Sequence, residues 1–371
     1  MNPINGGDLV LALSKLDKQW SLQQSQPRAP KSRWTKIILG PEEEENQEYE
    51  KDVASPLPRE EEIVYLLEPP GLPSCMIVFL GGAGLGQFPH IAYNELLVRI
   101  SDKLNAAILA APYTVGLDHF GIAKQGGEKL RKGILKCQDE KQYSPDIPVY
   151  CLGHSLGCKL LAIYIAATFQ EFSGIGFLAF NNFSFSQTIG MARDFADQLR
   201  TATQRNEFND PSYSSAGGVL NQLFGFAETA VSFMGLEFMP SPSDMRRLLR
   251  LKYTDQWKGK TRIFCFDDDT LDSTPDFVAS CGDTVEVSGL PGNHLTPVYL
   301  KLQVDDIMTD LPQEAKEMAS QAMDGFKGVS FGNEEELSVL VNEVCNFILG
   351  KPPSRRTTSM VIPLLKDSGE P

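Results

Sequence analysis

The chain has 371 residues, of which 42% are hydrophobic and 22% are charged, and its formal net charge at pH 7 is -14. This length is sufficient for one large α/β domain or two small ones, and the composition is typical of globular proteins. The acidic balance argues against a nucleic-acid-binding surface, which requires clustered Lys and Arg. No apolar run approaches the roughly 18 residues that a membrane-spanning helix requires.

The cysteine content argues against a zinc site and a disulfide framework. There are seven cysteines, which is an odd number, and no pair has the spacing of zinc ligands. Several lie in apolar runs, where Cys behaves as a small hydrophobic residue. We therefore expect a reducing compartment and no disulfide framework. The N-terminus shows neither a secretory pattern nor a clear transit peptide.

Residues 1–60 are predicted to form an appendage that is partly disordered. They contain a stretch with helical spacing, a basic stretch and an acidic run, which read GDLVLALSKLDKQW, RAPKSRWTK and GPEEEENQEYEKD. At the other end, residues 351–371 are predicted to be a flexible tail. The folded domain is therefore expected to span residues 61–350.

Strand and helix patterns alternate through this central part. The predicted strands are EEIVYLLE, CMIVFLG, AAILAAP, PVYCLG, GIGFLAFNNF, TRIFCF and DTVEVSG. The predicted helices are PHIAYNELLVRISDKLN, HFGIAKQGGEKLRKGILKCQDE, SLGCKLLAIYIAAT and a final helix that starts at Asn333 and stops at Gly350. Near-continuous apolar strands between helices indicate a mostly parallel sheet that is covered on both faces.

One block, residues 183–258, interrupts the alternation and is rich in Phe and Met. Its stretch GVLNQLFGFAETAVSFMGLEF has apolar residues along one helical face, namely Leu220, Phe224, Ala227, Val231 and Met234. An amphipathic helix that packs on the sheet would explain this spacing. The alternative is a helical cap or lid that lines an apolar substrate pocket, and we include this block in the predicted fold as a cap insertion.

A candidate nucleophile, Ser155, lies in the pentapeptide GHSLG between a predicted strand and a predicted helix. In this context G-x-S-x-G indicates a nucleophile elbow, in which two glycines permit a sharp turn and a close approach of helix and strand. The backbone N–H of Leu156 begins the helix and is therefore expected to point at an oxyanion. A serine in an ordinary tight turn is the alternative.

A serine nucleophile needs a base and an acid. Of four histidines, His294 follows a late strand and is the candidate base, whereas His90 and His119 are expected at the surface or at helix starts. His154 adjoins the serine, but the elbow is expected to turn its side chain away. The strand TRIFCF ends in an acidic loop, in which Asp269 is the predicted acid and Asp272 its competitor. Asp267 and Asp268 belong to the same loop, for which a solvated acidic surface or a cation site is the alternative. The order Ser…Asp…His is that of α/β-hydrolases.

A second oxyanion donor is expected from the loop after CMIVFL. Its residues Gly81, Gly82, Ala83 and Gly84 provide a backbone that a ligand can approach closely. A plain tight turn is one alternative. A phosphate-binding loop is another, but the pattern G-x-G-x-x-G is not met in register.

Five motifs together resemble an uncharacterised family of cyanobacterial and plant-plastid proteins known as a domain of unknown function. They are FLGGAGLGQFPHIAYNELL, APYTVGLDHFGIA, GHSLGCKLL, FLAFNNFS and FDDDTLDSTP. The resemblance implies the α/β-hydrolase fold from about residue 60 to 350, with a plastid or cyanobacterial setting, and it implies no substrate. Leu80 departs from many esterases, which have His before the oxyanion glycines. Asn181 and Asn182 belong to the resemblance and are expected near the site, where they orient the acid loop or substrate or satisfy backbone groups.

Two functions fit these patterns. The first is a serine hydrolase that cleaves an ester or thioester with an acyl or other apolar group, using Ser155, His294 and Asp269. The second is a non-catalytic protein of the same fold that binds a lipid, a pigment or a protein partner. A small ester or lipid-like substrate is the expected partner, with peripheral membrane contact left open, and neither a metal nor a cofactor is expected.

Overall fold

A computed structural model of the protein describes residues 6–25, 32–40, 62–188, 236–282, 284–301 and 330–355. Its main feature is an eight-stranded sheet. The strands in chain order are β1 (Trp34–Ile38), β2 (Ile63–Leu67), β3 (Cys75–Leu80), β4 (Ala106–Ala110), β5 (Val149–His154), β6 (Gly174–Leu178), β7 (Thr261–Phe266) and β8 (Glu286–Leu290). A separate antiparallel pair consists of β9 (Leu300–Lys301) and β10 (Ser330–Phe331).

The strands are arranged in the order β1-β2-β4-β3-β5-β6-β7-β8. Six adjacent strands, β4, β3, β5, β6, β7 and β8, run parallel to one another. Strand β2 is antiparallel to both of its neighbours, β1 and β4. This order, with one antiparallel strand near its start, is that of the α/β-hydrolase fold. The structure therefore confirms the predicted fold class.

Nine α-helices lie wholly within the described residues. They are α1 (Gly6–Ser25), α2 (Pro89–Ala92), α3 (Asn94–Leu104), α4 (His119–Lys141), α5 (Leu156–Thr168), α6 (Pro242–Lys252), α7 (Asp255–Lys258), α8 (Thr274–Cys281) and α9 (Glu334–Ile348). Because side chains alternate along a strand, β3 contributes Val78 to one core cluster and Phe79 to the other. Helices α4, α5 and α6 cover the first face, and helices α3 and α9 cover the second.

The last helix has the predicted cap. Asn333 Oδ1 accepts hydrogen bonds from the N–H groups of Glu335 and Glu336, and Asn333 Nδ2 donates to Glu336 Oε1 at 3.0 Å. Gly350 follows the helix with a φ of 72°, a left-handed conformation that glycine adopts without penalty. The start and the stop of α9 therefore follow from its local sequence.

The sheet begins inside the predicted appendage. Strand β1 lies before residue 60, yet Trp34 and Ile37 are buried and every β1 residue pairs with β2. Trp34 packs in one core cluster and Ile37 in the other, because residues three apart in a strand point to opposite faces, while the intervening Thr35 and Lys36 are exposed. The basic stretch therefore contains the start of β1. The sheet begins before residue 60, the predicted start of the folded domain.

The block 183–258 is described only at its ends. The five residues that suggested a cap (Leu220, Phe224, Ala227, Val231 and Met234) lie outside the described residues, so the cap stays a prediction. After the gap, helix α6 packs on α5 and α8 with Met245 and Leu249 fully buried.

All seven cysteines are buried, and none forms a disulfide bond. Among the described helices, none has the length and apolar character that crossing a bilayer demands.

Candidate active site

Ser155 occupies a strained turn between β5 and α5. Its φ and ψ are 53° and -120°, a combination that a residue with a Cβ adopts only when its surroundings enforce it. The turn is held by a hydrogen bond of 2.9 Å from Ser155 N–H to the carbonyl of Leu178, at the end of β6. This geometry places the serine side chain at the carboxyl edge of the parallel strands.

The two glycines of GHSLG are required by close packing. A Cβ on Gly157 would collide with the carbonyl oxygens of Leu80 and Gly81, and one on Gly153 would lie 2.9 Å from the backbone nitrogen of Cys158. The first turn of α5 can therefore lie against the ends of β3 and β5 only because both positions lack a side chain.

Ser155, His294 and Asp269 form a continuous chain of hydrogen bonds. The distance from Ser155 Oγ to His294 Nε2 is 2.8 Å. His294 Nδ1 lies 2.8 Å from Asp269 Oδ2 and 3.1 Å from Asp269 Oδ1. A carboxylate accepts, so Nδ1 carries the proton and Nε2 is free to accept from the serine hydroxyl. The Asp269 side chain is 0% exposed, which strengthens its interaction with the imidazole.

The carboxylates of the acidic loop after β7 have different partners. Asp272 Oδ1 accepts from the backbone N–H and the hydroxyl of Thr274, at 3.0 and 2.6 Å. Burial raises the pKa of Asp272 to about 6, although these two hydrogen bonds oppose the shift. Asp267 forms an ion pair of 3.0 Å with Arg355 at the surface. The structure thus places Asp269, and not its competitor Asp272, against His294.

The described residues contain no group of three or more His, Cys, Asp or Glu that could bind a metal ion.

The predicted oxyanion loop lies beside Ser155. A Cβ placed on Gly82 would be 3.2 Å from the Cβ of Ser155. The Gly82 N–H, however, donates to the hydroxyl of Tyr93 at 2.7 Å, and the Gly81 carbonyl accepts from Tyr113 at 2.7 Å. Within the described residues, the N–H of Ala83 has no hydrogen-bond acceptor, and Ala83 is exposed. Of the predicted loop donors, Ala83 rather than Gly82 is therefore available to a ligand.

Leu156 provides the other predicted donor. It is the first residue of α5, and the N–H groups of a helix's first turn have no partner within the helix. The positive end of the helix dipole adds to its attraction for an anion.

The other three histidines are all buried. His90 lies in the short helix α2 and stacks on Tyr65 with ring centroids 3.8 Å apart. His119 begins α4, as predicted, and stacks on Phe238 at 4.5 Å. His154 contacts the histidine loop through its Nε2, which is 2.8 Å from the carbonyl oxygen of His294. His90 and His119 thus lie at helix starts, one of the two predicted settings, and not at the surface, because aromatic rings cover both.

Asn181 and Asn182 hold the acid loop. Asn181 Nδ2 donates to the carbonyl of Leu271 at 3.4 Å, and Asn182 N–H donates to Ser273 Oγ at 3.0 Å. Both acceptors belong to the segment that follows Asp269. The Asn181 side chain thus bonds to the acid loop, whereas the Asn182 side chain satisfies a backbone group elsewhere, the Pro242 carbonyl at 3.2 Å.

Sequence reasoning missed Tyr93. Tyr93 lies among the apolar residues of the predicted helix PHIAYNELLVRISDKLN, which is typical of a core residue, and its ring is indeed fully buried. The hydroxyl nevertheless bonds to Gly82 N–H and to His154 Nδ1. The one signal in the sequence for these hydrogen bonds is the hydroxyl itself, because a buried tyrosine hydroxyl needs a hydrogen-bond partner.

Comparisons with known proteins give a family and several similar folds. Carboxyl esterase 2 from the mycorrhizal fungus Tuber melanosporum is 15% identical with a TM-score of 0.42, and the match covers 83% of this chain and 97% of that one. FphF, a fluorophosphonate-binding serine hydrolase from Staphylococcus aureus, is 13% identical with a TM-score of 0.41, over 78% and 97% of the two chains. Dienelactone hydrolase from Anabaena variabilis is 9% identical with a TM-score of 0.42, over 79% and 93%.

A search of curated proteins gives no significant match. A family model described as "Protein of unknown function (DUF1350)" matches residues 61–317. This match spans more than half of the chain and includes Ser155, Asp269 and His294, so the chain belongs to the DUF1350 family, on an α/β-hydrolase fold.

Proposed function

We propose that this protein is a serine hydrolase that cleaves an ester or a thioester. The observation that carries the proposal is the hydrogen-bonded chain from Ser155 through His294 to Asp269, with the serine on a strained elbow. Three groups in contact, each at the carboxyl end of a different strand, have the geometry that activates a serine for nucleophilic attack.

In the proposed reaction, Ser155 Oγ attacks the carbonyl carbon of the substrate and transfers its proton to His294 Nε2. The Asp269 carboxylate holds Nδ1–H and stabilises the resulting imidazolium. The tetrahedral intermediate then collapses, and His294 donates its proton to the leaving alcohol or thiol. Water, deprotonated by the same nitrogen, hydrolyses the acyl-serine and restores the hydroxyl.

Negative charge develops on the carbonyl oxygen during both steps. The N–H groups of Leu156 and Ala83 are the proposed donors to this oxygen. Losing one such donor typically costs about 10²–10³ in kcat. The Gly82 N–H is excluded from this role as long as it donates to Tyr93.

An apolar acyl group is the proposed feature of the substrate. Phe183 and Phe185 lie in the segment after β6 and are half-buried, and they succeed Asn181, which contacts the acid loop. The block that begins there is rich in Phe and Met. These side chains favour an apolar ligand over a charged one.

Hydrolysis of esters with increasing acyl length tests this function. We expect wild-type protein to cleave p-nitrophenyl butyrate or octanoate in preference to the acetate, and Ser155→Ala to lose at least about 10³ of kcat/KM. Ser144→Ala, which changes an exposed serine in the loop before β5, serves as the control. Equal rates for Ser155→Ala and the control would overturn the proposal.

Binding without catalysis is the second candidate, and one surface feature favours it. Leu236, Met239 and Phe120 are exposed apolar residues, and the Phe120 N–H donates to the Met239 carbonyl at 3.1 Å, so at least Phe120 and Met239 adjoin at the surface. A lipid or pigment that co-purifies equally with wild-type protein and with Ser155→Ala would support this alternative.

A plastid or cyanobacterial setting remains a proposal from resemblance, which a fluorescent fusion would test.

A further inference from the structure

Four groups behind Ser155 form a second hydrogen-bond chain. The Gly82 N–H lies 2.7 Å from Tyr93 Oη, and Tyr93 Oη lies 2.8 Å from His154 Nδ1. His154 Nε2 lies 2.8 Å from the carbonyl oxygen of His294. Tyr93 is 0% and His154 is 1% exposed, so the chain is sealed from water.

The direction of each bond follows from chemistry. A carbonyl oxygen only accepts, so His154 carries its proton on Nε2 and accepts at Nδ1. Tyr93 must therefore donate to Nδ1, and its oxygen accepts from Gly82 N–H. Each N–H and O–H of this chain thus has an acceptor, which buried groups require.

The imidazole of His154 stays uncharged. Burial lowers its pKa to about 3, and the neighbouring His294 acts in the same direction. Protonation would place a second donor at Nδ1, against the hydroxyl of Tyr93. The chain is therefore a fixed connection in the neutral range of pH, and it transfers no proton.

This connection joins two loops that the sheet keeps apart. The oxyanion loop follows β3 on one side of β5, whereas the His294 loop follows β8, beyond β6 and β7. Strand β5 ends at His154, so this residue lies between the two loops.

We propose that Tyr93 and His154 are positioning residues that couple the oxyanion loop to the loop of the catalytic base. Their hydrogen bonds fix the position of the Ala83 N–H relative to His294 Nε2, so that the oxyanion donor and the base act on the same carbonyl group of the substrate. The inference rests on the proposed hydrolase function. A misplacement of about 1 Å between such groups can cost about 10² in rate.

Three variants break hydrogen bonds of this chain. Tyr93→Phe removes the hydroxyl but keeps the ring. His154→Asn keeps an acceptor near the position of Nδ1 and loses the donor to His294. His154→Gln can keep a donor to the His294 carbonyl and loses the acceptor for Tyr93. Tyr253→Phe is the matched control, because Tyr253 is also buried and its hydroxyl bonds to Thr261 Oγ1 far from Ser155 in the fold.

Steady-state ester hydrolysis separates positioning from a merely structural role. Each of the three variants should lose about 10- to 100-fold of kcat with KM changed less than threefold, while Tyr253→Phe keeps the wild-type kcat. The double variant Tyr93→Phe with His154→Gln should lose no more than the worse single variant, because both break the same bond. Additive losses, or losses only in KM, would overturn the coupling.

Nitrogen-15 NMR of the imidazole rings tests the connection without an assay of activity, since the chain has only four histidines. His154 should be neutral with its proton on Nε2 between pH 5 and 8, and Tyr93→Phe should shift the ring signals of both His154 and His294. A proton on Nδ1, or unchanged His294 signals in Tyr93→Phe, would contradict the proposal. If NMR shows the coupling while wild-type protein hydrolyses no ester, the proposed reaction fails and the connection between the loops stands.

Discussion

Asp269 and Asp272 lie in one loop, but only Asp269 contacts His294, with an Oδ2–Nδ1 distance of 2.8 Å. The backbone explains the difference. Leu271 N–H donates to Asp269 Oδ1 at 2.7 Å, which turns the other oxygen toward the imidazole. Asp272 accepts from Thr274 at the start of α8 instead. One carboxyl thus holds the candidate base, and the other accepts hydrogen bonds from the first residue of α8.

The first prediction separates these two roles by activity. Asp269→Asn should lower kcat by roughly 10³–10⁴, because an amide cannot hold His294 in the productive tautomer. Asp272→Asn keeps an oxygen for Thr274 and should retain activity within about threefold. Ester hydrolysis at pH 8 measures both variants. A larger loss in Asp272→Asn than in Asp269→Asn would reverse the assignment.

The second prediction concerns stability and pH. Because the pKa of Asp272 is raised by burial from 3.8 to about 6, the folded protein keeps a proton between pH 4 and 6 that the unfolded chain releases. The free energy of unfolding therefore falls as pH rises through this window, by up to about 3 kcal/mol.

Urea unfolding at several pH values checks this sign. The free energy of unfolding of Asp272→Asn should equal that of the wild type near pH 4. It should exceed the wild-type value by a growing margin up to about pH 7, because the amide is never charged. A difference between the two proteins that is constant with pH would show that Asp272 does not titrate in this range.

The third prediction tests the packing of the elbow. Gly157→Ala should destabilise the protein by about 1–3 kcal/mol, because the added Cβ meets the carbonyl oxygens of Leu80 and Gly81. In Gly259→Ala, the nearest atom to the new Cβ is the Asp255 carbonyl oxygen at 3.6 Å. This control should stay within about 0.5 kcal/mol of the wild type. Equal stability of the two variants, measured by chemical unfolding, would contradict the close approach.

The fourth prediction concerns the two described ends of the block at 183–258. Glu237 Oε1 accepts from the N–H groups of Phe185 and Phe238, at 2.7 and 2.8 Å. Glu237→Ala should therefore speed amide exchange at both residues by about fivefold, the equivalent of one net hydrogen bond of about 1 kcal/mol. Glu237→Gln retains an acceptor and should change little.

Hydrogen–deuterium exchange with peptide resolution makes this measurement. Glu171→Ala, at an exposed position, provides the control for removal of an acidic side chain. Protection that survives in Glu237→Ala would mean that the carboxylate does not join the two ends.

The central sheet could be predicted because its signal is local. Strands such as β3 and β5 are continuous apolar runs between helices with clear periodicity, and Asn333 supplies a standard cap for α9. Strand β1 escaped prediction for a physical reason. It is an edge strand that buries only Trp34 and Ile37, so exposed residues give it the composition of a surface stretch.

The site was predictable where it depends on strand ends. Ser155, Asp269 and His294 each follow a parallel strand, and the carboxyl ends of such strands meet at one edge of a sheet. The second hydrogen-bond chain was not predictable, because Tyr93 and His154 pair across 61 positions of sequence. The occupied N–H of Gly82 depends on that same tertiary contact.

Covalent labelling with a fluorophosphonate probe, followed by peptide mass spectrometry, tests most directly whether Ser155 is a nucleophile. We expect one adduct per chain, located on Ser155, that disappears in Ser155→Ala and forms at least about 10² more slowly in Asp269→Asn. An adduct elsewhere, or no adduct on folded wild-type protein, would contradict the account.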